Sequence, residues 1–463
     1  MTTEPIPRLI VKLAIPTTIS MLVTSFYNLV DTLFVRQLSS DSMIAAVGVV
    51  LPLMNIIQAF GFFCGHGSGN YISRAFGRQD YKSAEKMAAA GFFYAVMIGI
   101  AILTLGMVFR EPLVLLLGAK TEATVQASID YMVYILLATP FMMGAIVMNN
   151  QMRMQGNAFF AMIGLTSGAI VNIILDPILI FKAGDPLFGG AITMPFGAGM
   201  QIGGAALATA ISQFVSFVLL YIGMQKSDNV KIRLRSFKPS MYYVKGITQG
   251  GLPSLARQGL GSIATTCLNN SIGFYIAPAM IDATQAAMTG TSRIMMFLFS
   301  AIIGFGQGFQ PVCGFNYGAR KYDRVREAFS YCVKVAAVIL CTFSVVGFVF
   351  AEPITDLVAG SSPQAASIAA FAFRAQLVVF PLMAWTTMCN MMLQTIGQTF
   401  RATVVAMLRQ GISFIPCVLL LPLCMDPLLG IQLSQSVADV ISFAISIPIG
   451  VIALREMKQQ TKI

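Results

Sequence analysis

The stretches FGRQDYKSAEK (76–86) and YGARKYDRVRE (317–327) are two copies of one connection between helices. Their glycines, Gly77 and Gly318, align at an offset of 241 residues. The same offset aligns further identical residues on both sides of the connection: Asp41 with Asp282, Glu111 with Glu352, Pro112 with Pro353, Pro140 with Pro381 and Gly156 with Gly397. A single offset that holds over this distance indicates that the chain contains a long internal repeat.

The composition of the chain excludes an ordinary soluble protein. Of its 463 residues 56% are hydrophobic and 11% are charged, and the mean hydropathy is +0.76. Soluble domains carry roughly 25% charged residues, so this chain must be solvated largely by lipid. Its net charge of +11 comes from basic residues in the short gaps between apolar runs, where topology signals stand. We therefore expect a lipid bilayer and no nucleic acid among its partners.

Apolar runs of membrane-spanning length recur along the whole chain. A spanning helix needs roughly 20 mainly apolar residues. Twelve such runs lie near 10–35, 43–70, 86–109, 123–148, 158–182, 202–224, 247–276, 283–313, 328–350, 364–393, 402–424 and 429–453. The sequence thus predicts an all-α integral membrane protein with twelve transmembrane helices.

The distribution of Lys and Arg orients these helices. The two termini and the connections after even-numbered spans hold 21 of the 30 basic residues, whereas the outer connections hold four. This bias predicts that both termini are cytoplasmic. Because each copy of the repeat has an even number of spans, the two six-helix bundles should be related by a pseudo-two-fold axis along the membrane normal. We expect an N-lobe at 1–225, a basic cytoplasmic linker at 226–240 and a C-lobe at 241–463.

Two aspartates interrupt apolar spans of the N-lobe. Asp31 lies in FYNLVDTLFV (26–35) of the first span, and Asp176 lies in VNIILDPILIF (171–181) of the fifth. Carboxylates inside a membrane are rare and costly, and they commonly mark ion or substrate pathways. Both spans run outward, and each aspartate precedes a basic residue by five or six positions. The two carboxylates should therefore lie at similar depth.

Two further polar side chains match the depth of these aspartates. Asn172 precedes Asp176 by one helical turn on the same face, and Thr209 of the sixth span lies at a comparable level. Carboxylate, amide and hydroxyl oxygens suit a hard cation or a shared proton. The sequence therefore predicts a cation site, with Na+ as a possible metal ion, at Asp31, Asn172, Asp176 and Thr209. The alternative is that each aspartate only forms local hydrogen bonds.

The C-lobe carries a different pattern of charge. Its spans contain arginines at positions 257, 293, 374 and 409, but the only intramembrane acid in a comparable position is Asp439. We expect Asp439 to pair with one of these arginines, which leaves the ion site to the N-lobe. The only histidine, His66, stands among glycines that we interpret as positions of close helix packing, with a proton relay as the alternative. Glycines at 304, 306, 308 and 314 occupy the matching region of the repeat.

Several motifs together resemble those of one transporter family. They are YNLVDTLFV, VNIILDPILIF, GGAALATAISQ, RQGISFIP and the repeated connection quoted above, and they cover essentially the whole chain. The sequence resembles the multidrug and toxic compound extrusion (MATE) transporters, specifically the MepA-like, DinF-related bacterial branch. This resemblance implies a V-shaped pair of lobes that work by alternating access. It implies export of lipophilic, often cationic drugs and toxic compounds in exchange for Na+ or H+.

The resemblance also assigns roles to individual residues. The family's N-lobe cation site falls on Asp31, Asn172, Asp176 and Thr209. Tyr131 matches a hydrogen-bonding tyrosine of the same network, and Pro16 matches a proline that bends the first helix. The NorM-type branch places acids in spans seven and ten, where this chain has arginine and apolar residues.

The implied protein is an antiporter rather than an enzyme. We find no metalloprotease motif or comparable catalytic cluster in the sequence, and we expect no cofactor beyond the coupling ion, Na+ or H+. We expect a monomer in the bacterial inner membrane. The alternative function is that of a lipid or oligosaccharide flippase from the same superfamily. Such flippases often have two additional spans, so the twelve predicted spans argue against this alternative.

Overall fold

The computed structural model describes residues 1–38, 40–187, 192–226, 229–356 and 363–461, and most of them are helical. The first half contains seven helices: α1 (Ile6–Arg36), α2 (Asp41–Gly77), α3 (Tyr81–Val108), α4 (Arg110–Leu116), α5 (Glu122–Met154), α6 (Ala158–Ile180) and α7 (Gln201–Lys226). The second half contains nine: α8 (Met241–Tyr275), α9 (Ile281–Gly318), α10 (Tyr322–Val349), α11 (Ala351–Asp356), α12 (Pro363–Val379), α13 (Met383–Ile396), α14 (Thr399–Met407), α15 (Phe414–Cys424) and α16 (Pro427–Gln460).

Long apolar helices dominate the fold, as predicted. Eleven helical segments of the described chain are long and apolar enough to cross a membrane. Two of them join consecutive α-helices: α12 continues into α13 through a short 3₁₀ turn, and α14 continues into α15 through a π-helical turn. The predicted seventh span corresponds to α8, which has 35 residues and is long enough. Its hydropathy is lower because Lys245, Arg257 and the run TTCLNNS (265–271) interrupt its apolar residues.

The backbone confirms the internal repeat at the level of single residues. Helix α3 and helix α10 begin and end at positions separated by 241 residues. The turns before them contain Gln79 and Arg320, which share a left-handed conformation with φ of 60° and 58°. Gly156 and Gly397 also share φ of 88° at the ends of their helices. Because L-residues with a side chain rarely adopt positive φ, the matched pair at Gln79 and Arg320 shows that the two copies use the same turn.

One connection differs between the two halves. In the first half, the chain between α6 and α7 forms a short antiparallel hairpin, in which Pro186 pairs with Thr193. Its strands are β1 (Pro186–Leu187) and β2 (Ile192–Thr193). In the second half, only two residues separate α15 from α16. The hairpin is the one departure from the predicted all-α fold within the described residues.

The chain forms two compact units whose boundaries differ from those of the predicted lobes. The first unit comprises Ile19–Gly251, and the second comprises Met1–Thr18 together with Leu252–Ile463. Each unit therefore includes the beginning of the other half's first helix. The predicted lobes, 1–225 and 241–463, describe the duplicated sequence and stay a prediction.

Glycines allow the beginning of α1 to pack closely within the second unit and the beginning of α8 to pack closely within the first. In the second unit, the Thr17 hydroxyl donates a hydrogen bond of 2.6 Å to the carbonyl of Gly304. A side chain at Gly304 or Gly308 would meet the backbone of α1. In the first unit, a side chain at Gly67 would likewise meet the backbone of Ile247 in α8. The glycine-rich segments of α2 and α9 thus permit close helix packing, as the sequence predicted.

The repeated connection contains one helix cap that only the first copy forms. Asp80 precedes α3 and accepts a hydrogen bond of 3.1 Å from the backbone N–H of Ser83. The matching position before α10 is Lys321, which provides no side-chain cap. Hydrogen bonds from Ser83 hold the pKa of the Asp80 carboxyl below its usual value. The charged carboxylate is therefore the form that stabilises the start of α3.

We expect Asp80→Ala to lower the free energy of unfolding by about 1 kcal/mol at neutral pH. Because the pKa of Asp80 is lowered in the folded protein, its contribution is complete above the ordinary aspartate pKa of about 4. It is lost as the pH falls through the lowered value. Thermal unfolding of both proteins at a series of pH values should show the difference in Tm shrinking on acidification. A difference that grows on acidification would contradict this assignment.

Candidate functional site

Four of the predicted site residues come from three helices of the first unit. Helix α1 carries Asp31, helix α6 carries Asn172 and Asp176, and helix α7 carries Thr209. Asn172 and Asp176 are completely buried, and Thr209 is 8% exposed. The amide nitrogen of Asn172 donates a hydrogen bond of 3.2 Å to Oδ1 of Asp176. The one-turn spacing in VNIILDPILIF therefore places a carboxamide directly against a carboxylate.

Asp31 and Asp176 form the charged centre of this cluster. Their carboxyl groups lie close enough to share a hydrogen bond when one of them is protonated. Both stand on apolar helices long enough to span a membrane, where two negative charges at this separation repel strongly. A proton or a cation between them would relieve this repulsion.

The packing of α6 against α7 sets the level of Thr209. At one end of the pair, a side chain at Gly204 would meet the carbonyl of Leu179. Towards the other end, a side chain at Gly164 would meet Leu220. The two helices are antiparallel, and these contacts fix their register. Thr209 therefore lies level with the turn between Asn172 and Asp176, as the depth argument predicted.

Two tyrosines lie beside the carboxylates. Tyr131 of α5 is 2% exposed, and its phenol interacts electrostatically with both Asp31 and Asp176. Its hydroxyl also contacts the sulfur of Met54 at 3.9 Å. Tyr27 interacts with the same two carboxylates, although we did not predict it from the sequence. The available signal was its spacing, because Tyr27 precedes Asp31 by one helical turn on α1.

Three buried oxygens in this cluster lack a hydrogen-bond donor among the described residues. They are Oδ1 of Asp31, Oδ1 of Asn172 and Oδ2 of Asp176. Buried polar atoms are almost always satisfied, so a group of orphaned acceptors needs an explanation. Carboxylate and amide oxygens without donors can coordinate a hard cation, and the carboxylates can instead bind a proton.

Pro16 lies within α1 as predicted, but in the second unit.

The close approach of α6 and α7 gives a matched pair of test substitutions. Gly204→Ala would place a methyl group against the Leu179 backbone, so α7 must shift and carry Thr209 with it. We expect a loss of about 1–3 kcal/mol in stability together with weaker ion-driven transport. Gly203→Ala is the control, because its methyl group would meet only the Tyr134 ring, at an ordinary contact distance of 3.5 Å. Equal melting temperatures and equal transport for the two variants would show that the helix spacing here is not critical.

The second unit contains a buried ion pair instead of paired carboxylates. Nε of Arg409 lies 3.1 Å from Oδ1 of Asp439, which is 1% exposed. The amide of Gln435 donates a second hydrogen bond of 2.8 Å to the same oxygen. This confirms the prediction that Asp439 pairs with an arginine of its own half.

His66 lies in a different polar cluster of the first unit. It is 3% exposed, stacks on Phe62 with ring centroids 5.4 Å apart and has Nε2 at 3.4 Å from a terminal nitrogen of Arg153. Arg153 also donates a hydrogen bond of 2.6 Å to Asn150. Arg153, one of the basic residues that we expect near the cytoplasmic connection after the fourth span, stands in the last turn of α5 and is 2% exposed.

These features define a class of membrane protein. A duplicated set of six membrane-spanning helices, with carboxylates buried inside one copy, is the architecture of secondary transporters. The MatE family model matches residues 16–178 and 260–419, which is more than half of the chain. The chain therefore belongs to the MATE family of transporters and is a multi-pass membrane protein.

Comparisons with individual proteins agree with this assignment. The chain is 27% identical over 411 residues to the multidrug export protein MepA of Staphylococcus haemolyticus (strain JCSC1435), covering 88% of this chain and 85% of that protein. It is similar to a solved outward-facing multidrug resistance MATE transporter of the MOP superfamily, with 26% identity, a TM-score of 0.89 and coverage of 98% and 97%. A solved MATE transporter in complex with MaL6 gives 26% identity, a TM-score of 0.88 and 98% coverage of both chains.

Proposed function

We propose that this protein is a cation-coupled antiporter that exports lipophilic, often cationic drugs and toxic compounds by alternating access. The observation that carries the proposal is the set of three orphaned buried oxygens around Asp31 and Asp176. A MATE chain needs an ion site that can be filled and emptied, and this cluster offers acceptor oxygens that the protein leaves unsatisfied. The name of the MepA relative supports the choice of drugs as substrates.

The proposed coupling ion is Na+ or H+, bound by Asp31, Asn172, Asp176 and Thr209. Either ion would remove the repulsion between the two carboxylates. Tyr27 and Tyr131 have hydroxyl groups that suit hydrogen bonds to whichever carboxylate stays charged. For such an ion to drive transport, its affinity must differ between the two access states, because equal affinity shifts no equilibrium.

Helix α1 would couple ion binding at Asp31 to the change between the two access states. It carries Asp31 in the first unit and Pro16 in the second, and the chain between them is continuous helix. Proline removes one backbone hydrogen bond from a helix and makes bending easier at that turn. Ion binding at Asp31 would change how the outer part of α1 packs. The proline then allows that change to occur without moving the whole helix.

The proposed setting is a bacterial inner membrane with both termini in the cytoplasm and a monomeric protein. The bias of Lys and Arg towards one set of connections supports this orientation. Accessibility of single cysteines introduced near each terminus, measured in intact cells and in inverted vesicles, would test it.

The decisive experiment separates the two candidate ions. Purified protein is reconstituted into liposomes loaded with a fluorescent cationic drug, and a Na+ gradient or a pH gradient is imposed in separate samples. We expect one of the two gradients to drive drug transport and to be dissipated in exchange. Transport that responds to neither gradient would contradict cation coupling. Transfer of fluorescent lipid without drug transport would favour the flippase alternative.

A further inference from the structure

The second unit contains a partly open cavity of about 400 Å³, a volume typical of sites for small molecules. Its wall is formed by α8, α9, α12, α13, α14, the π-helical turn, the start of α15 and α16. Two arginines, Arg257 and Arg409, line it, and no carboxylate does so among the described residues. A cavity in which arginine is the only charged residue type differs in charge from one built to receive a cation.

Arg257 has no negative partner within the described part of the chain. None of the ion pairs or side-chain hydrogen bonds there involves it. It stands on α8 four residues after Pro253, in the middle of the helix. An unpaired guanidinium inside a membrane protein is costly, and such groups commonly mark a substrate pathway. Its five N–H donors are therefore available to a ligand in the cavity.

Arg409 is held in a fixed orientation on the same cavity. Its Nε atom contacts Asp439, and its guanidinium lies over the ring of Phe299 with 4.2 Å to the centroid. Its two terminal nitrogens have no protein partner in the described residues. Arg409 belongs to the π-helical turn Leu408–Ile412, which interrupts the long helix formed by α14 and α15. Such turns often occur at functional sites, because they re-aim side chains at some expense in helix stability.

Much of the remaining cavity wall is apolar and adaptable. Methionines and phenylalanines cover one part of it: Met288, Met295, Met296, Met383, Phe299 and Phe414. Methionine side chains fit irregular and varied apolar surfaces. Amide and hydroxyl groups of Gln376, Thr387 and Asn390 also reach the cavity and can orient a polar part of the ligand.

We propose that this cavity binds amphiphilic compounds that carry a single oxyanion, such as a carboxylate, with Arg257 and Arg409 as the anion-binding residues. Guanidinium groups bind carboxylates through paired, charge-assisted hydrogen bonds. The apolar body of the compound lies against the methionine and phenylalanine side chains. The site extends the range of exported compounds from cations to zwitterions and anions, so it rests on the proposed export function.

A pair of dyes provides the probe. Rhodamine B carries a free carboxylate, and its ethyl ester has the same ring system without that charge. Binding of each dye to the purified protein in uncharged-lipid nanodiscs is measured by fluorescence polarisation, with no ion gradient present. We expect the free acid to bind more tightly than the ester. We expect Arg257→Gln to weaken binding of the acid by about tenfold and to leave binding of the ester unchanged.

Two further variants complete the test. Arg326→Gln removes one positive charge from the same unit at an exposed pair with Asp323, outside the cavity, and should change neither dye. The double variant Arg409→Gln with Asp439→Asn removes the second arginine without leaving a buried unpaired carboxylate, and it should weaken binding of the acid. Equal affinity of the wild-type protein for the two dyes, or an equal effect of Arg257→Gln on both, would overturn the proposal.

The source of the oxyanion is settled by competition. Nanodiscs that contain phosphatidylglycerol in place of part of the phosphatidylcholine present to the same cavity a lipid phosphate that has no choline cation beside it. Weaker binding of rhodamine B in these discs, abolished by Arg257→Gln, would assign the site to a lipid headgroup. Unchanged binding would assign it to water-borne amphiphiles. Because binding needs no gradient, a protein that binds rhodamine B but shows no ion-driven efflux would contradict the proposed coupling and leave this site intact.

Discussion

Asp176→Asn should reduce ion-driven drug efflux from proteoliposomes to the level of protein-free liposomes. Asparagine keeps the size of the side chain and can still accept a hydrogen bond from Asn172, which lies 3.2 Å away. It removes the negative charge that a cation or proton must neutralise. Without that charge, the site binds the coupling ion too weakly to favour one access state. The ion gradient then no longer shifts the equilibrium between the two access states.

Stability separates this loss of coupling from misfolding. The variant no longer buries a carboxylate beside Asp31, so we expect its melting temperature to equal or exceed that of the wild-type protein. Equilibrium binding of the drug should also persist. Asp130→Asn is the matched control, since Asp130 lies exposed on α5, where it accepts a hydrogen bond of 2.9 Å from Gln126. Wild-type coupling in Asp176→Asn would reduce Asp176 to a locally bonded residue with no role in ion binding.

Arg409→Gln should destabilise the protein more than either Asp80→Ala or Gly204→Ala. Asp439 is 1% exposed and would lose its positive partner while keeping only the hydrogen bond from Gln435. Removing one member of a buried ion pair costs about 3–5 kcal/mol, because the remaining charge stays buried without compensation. Thermal unfolding in detergent, compared with the wild-type protein, measures the effect.

The partner substitution provides the internal check on this explanation. In the double variant Arg409→Gln with Asp439→Asn, neither member of the pair is charged, and we expect most of the lost stability to return. Asp439→Asn alone should cost less than Arg409→Gln alone, because Arg409 still borders the cavity and stacks on Phe299. Losses that simply add in the double variant would show that the two residues do not stabilise each other.

The sequence predicted the helices well because their signals are local and strong. Hydropathy identifies each span, and the loop copies at 76–86 and 317–327 set the 241-residue offset that the backbone reproduces at Gln79 and Arg320. The span of α8 is the exception, since its polar residues lower the hydropathy while its length remains sufficient.

The sequence predicted the level in the membrane at which each candidate site residue lies, because that level follows from its position along its helix. Counting residues from the outer ends brought Asp31, Asp176 and Thr209 to one level, and the packing of α6 on α7 explains the agreement for Asp176 and Thr209. The depth of a residue does not show whether its side chain faces the two carboxylates, so the sequence analysis missed Tyr27. It also cannot distinguish a buried from an exposed arginine near a helix end, so the sequence did not predict the burial of Arg153.

The exchange of helix beginnings between the two units also constrains how the protein is synthesised. The ribosome makes Met1–Thr18 before the second half of the chain, but the helices that these residues pack against lie after Leu252. Met1–Thr18 therefore cannot reach its final packing until the second half has been made. The first unit is likewise incomplete until residues 241–251 arrive, because Gly67 packs against Ile247. The two halves arose as copies, yet neither half of the polypeptide contains all the segments that its compact unit requires.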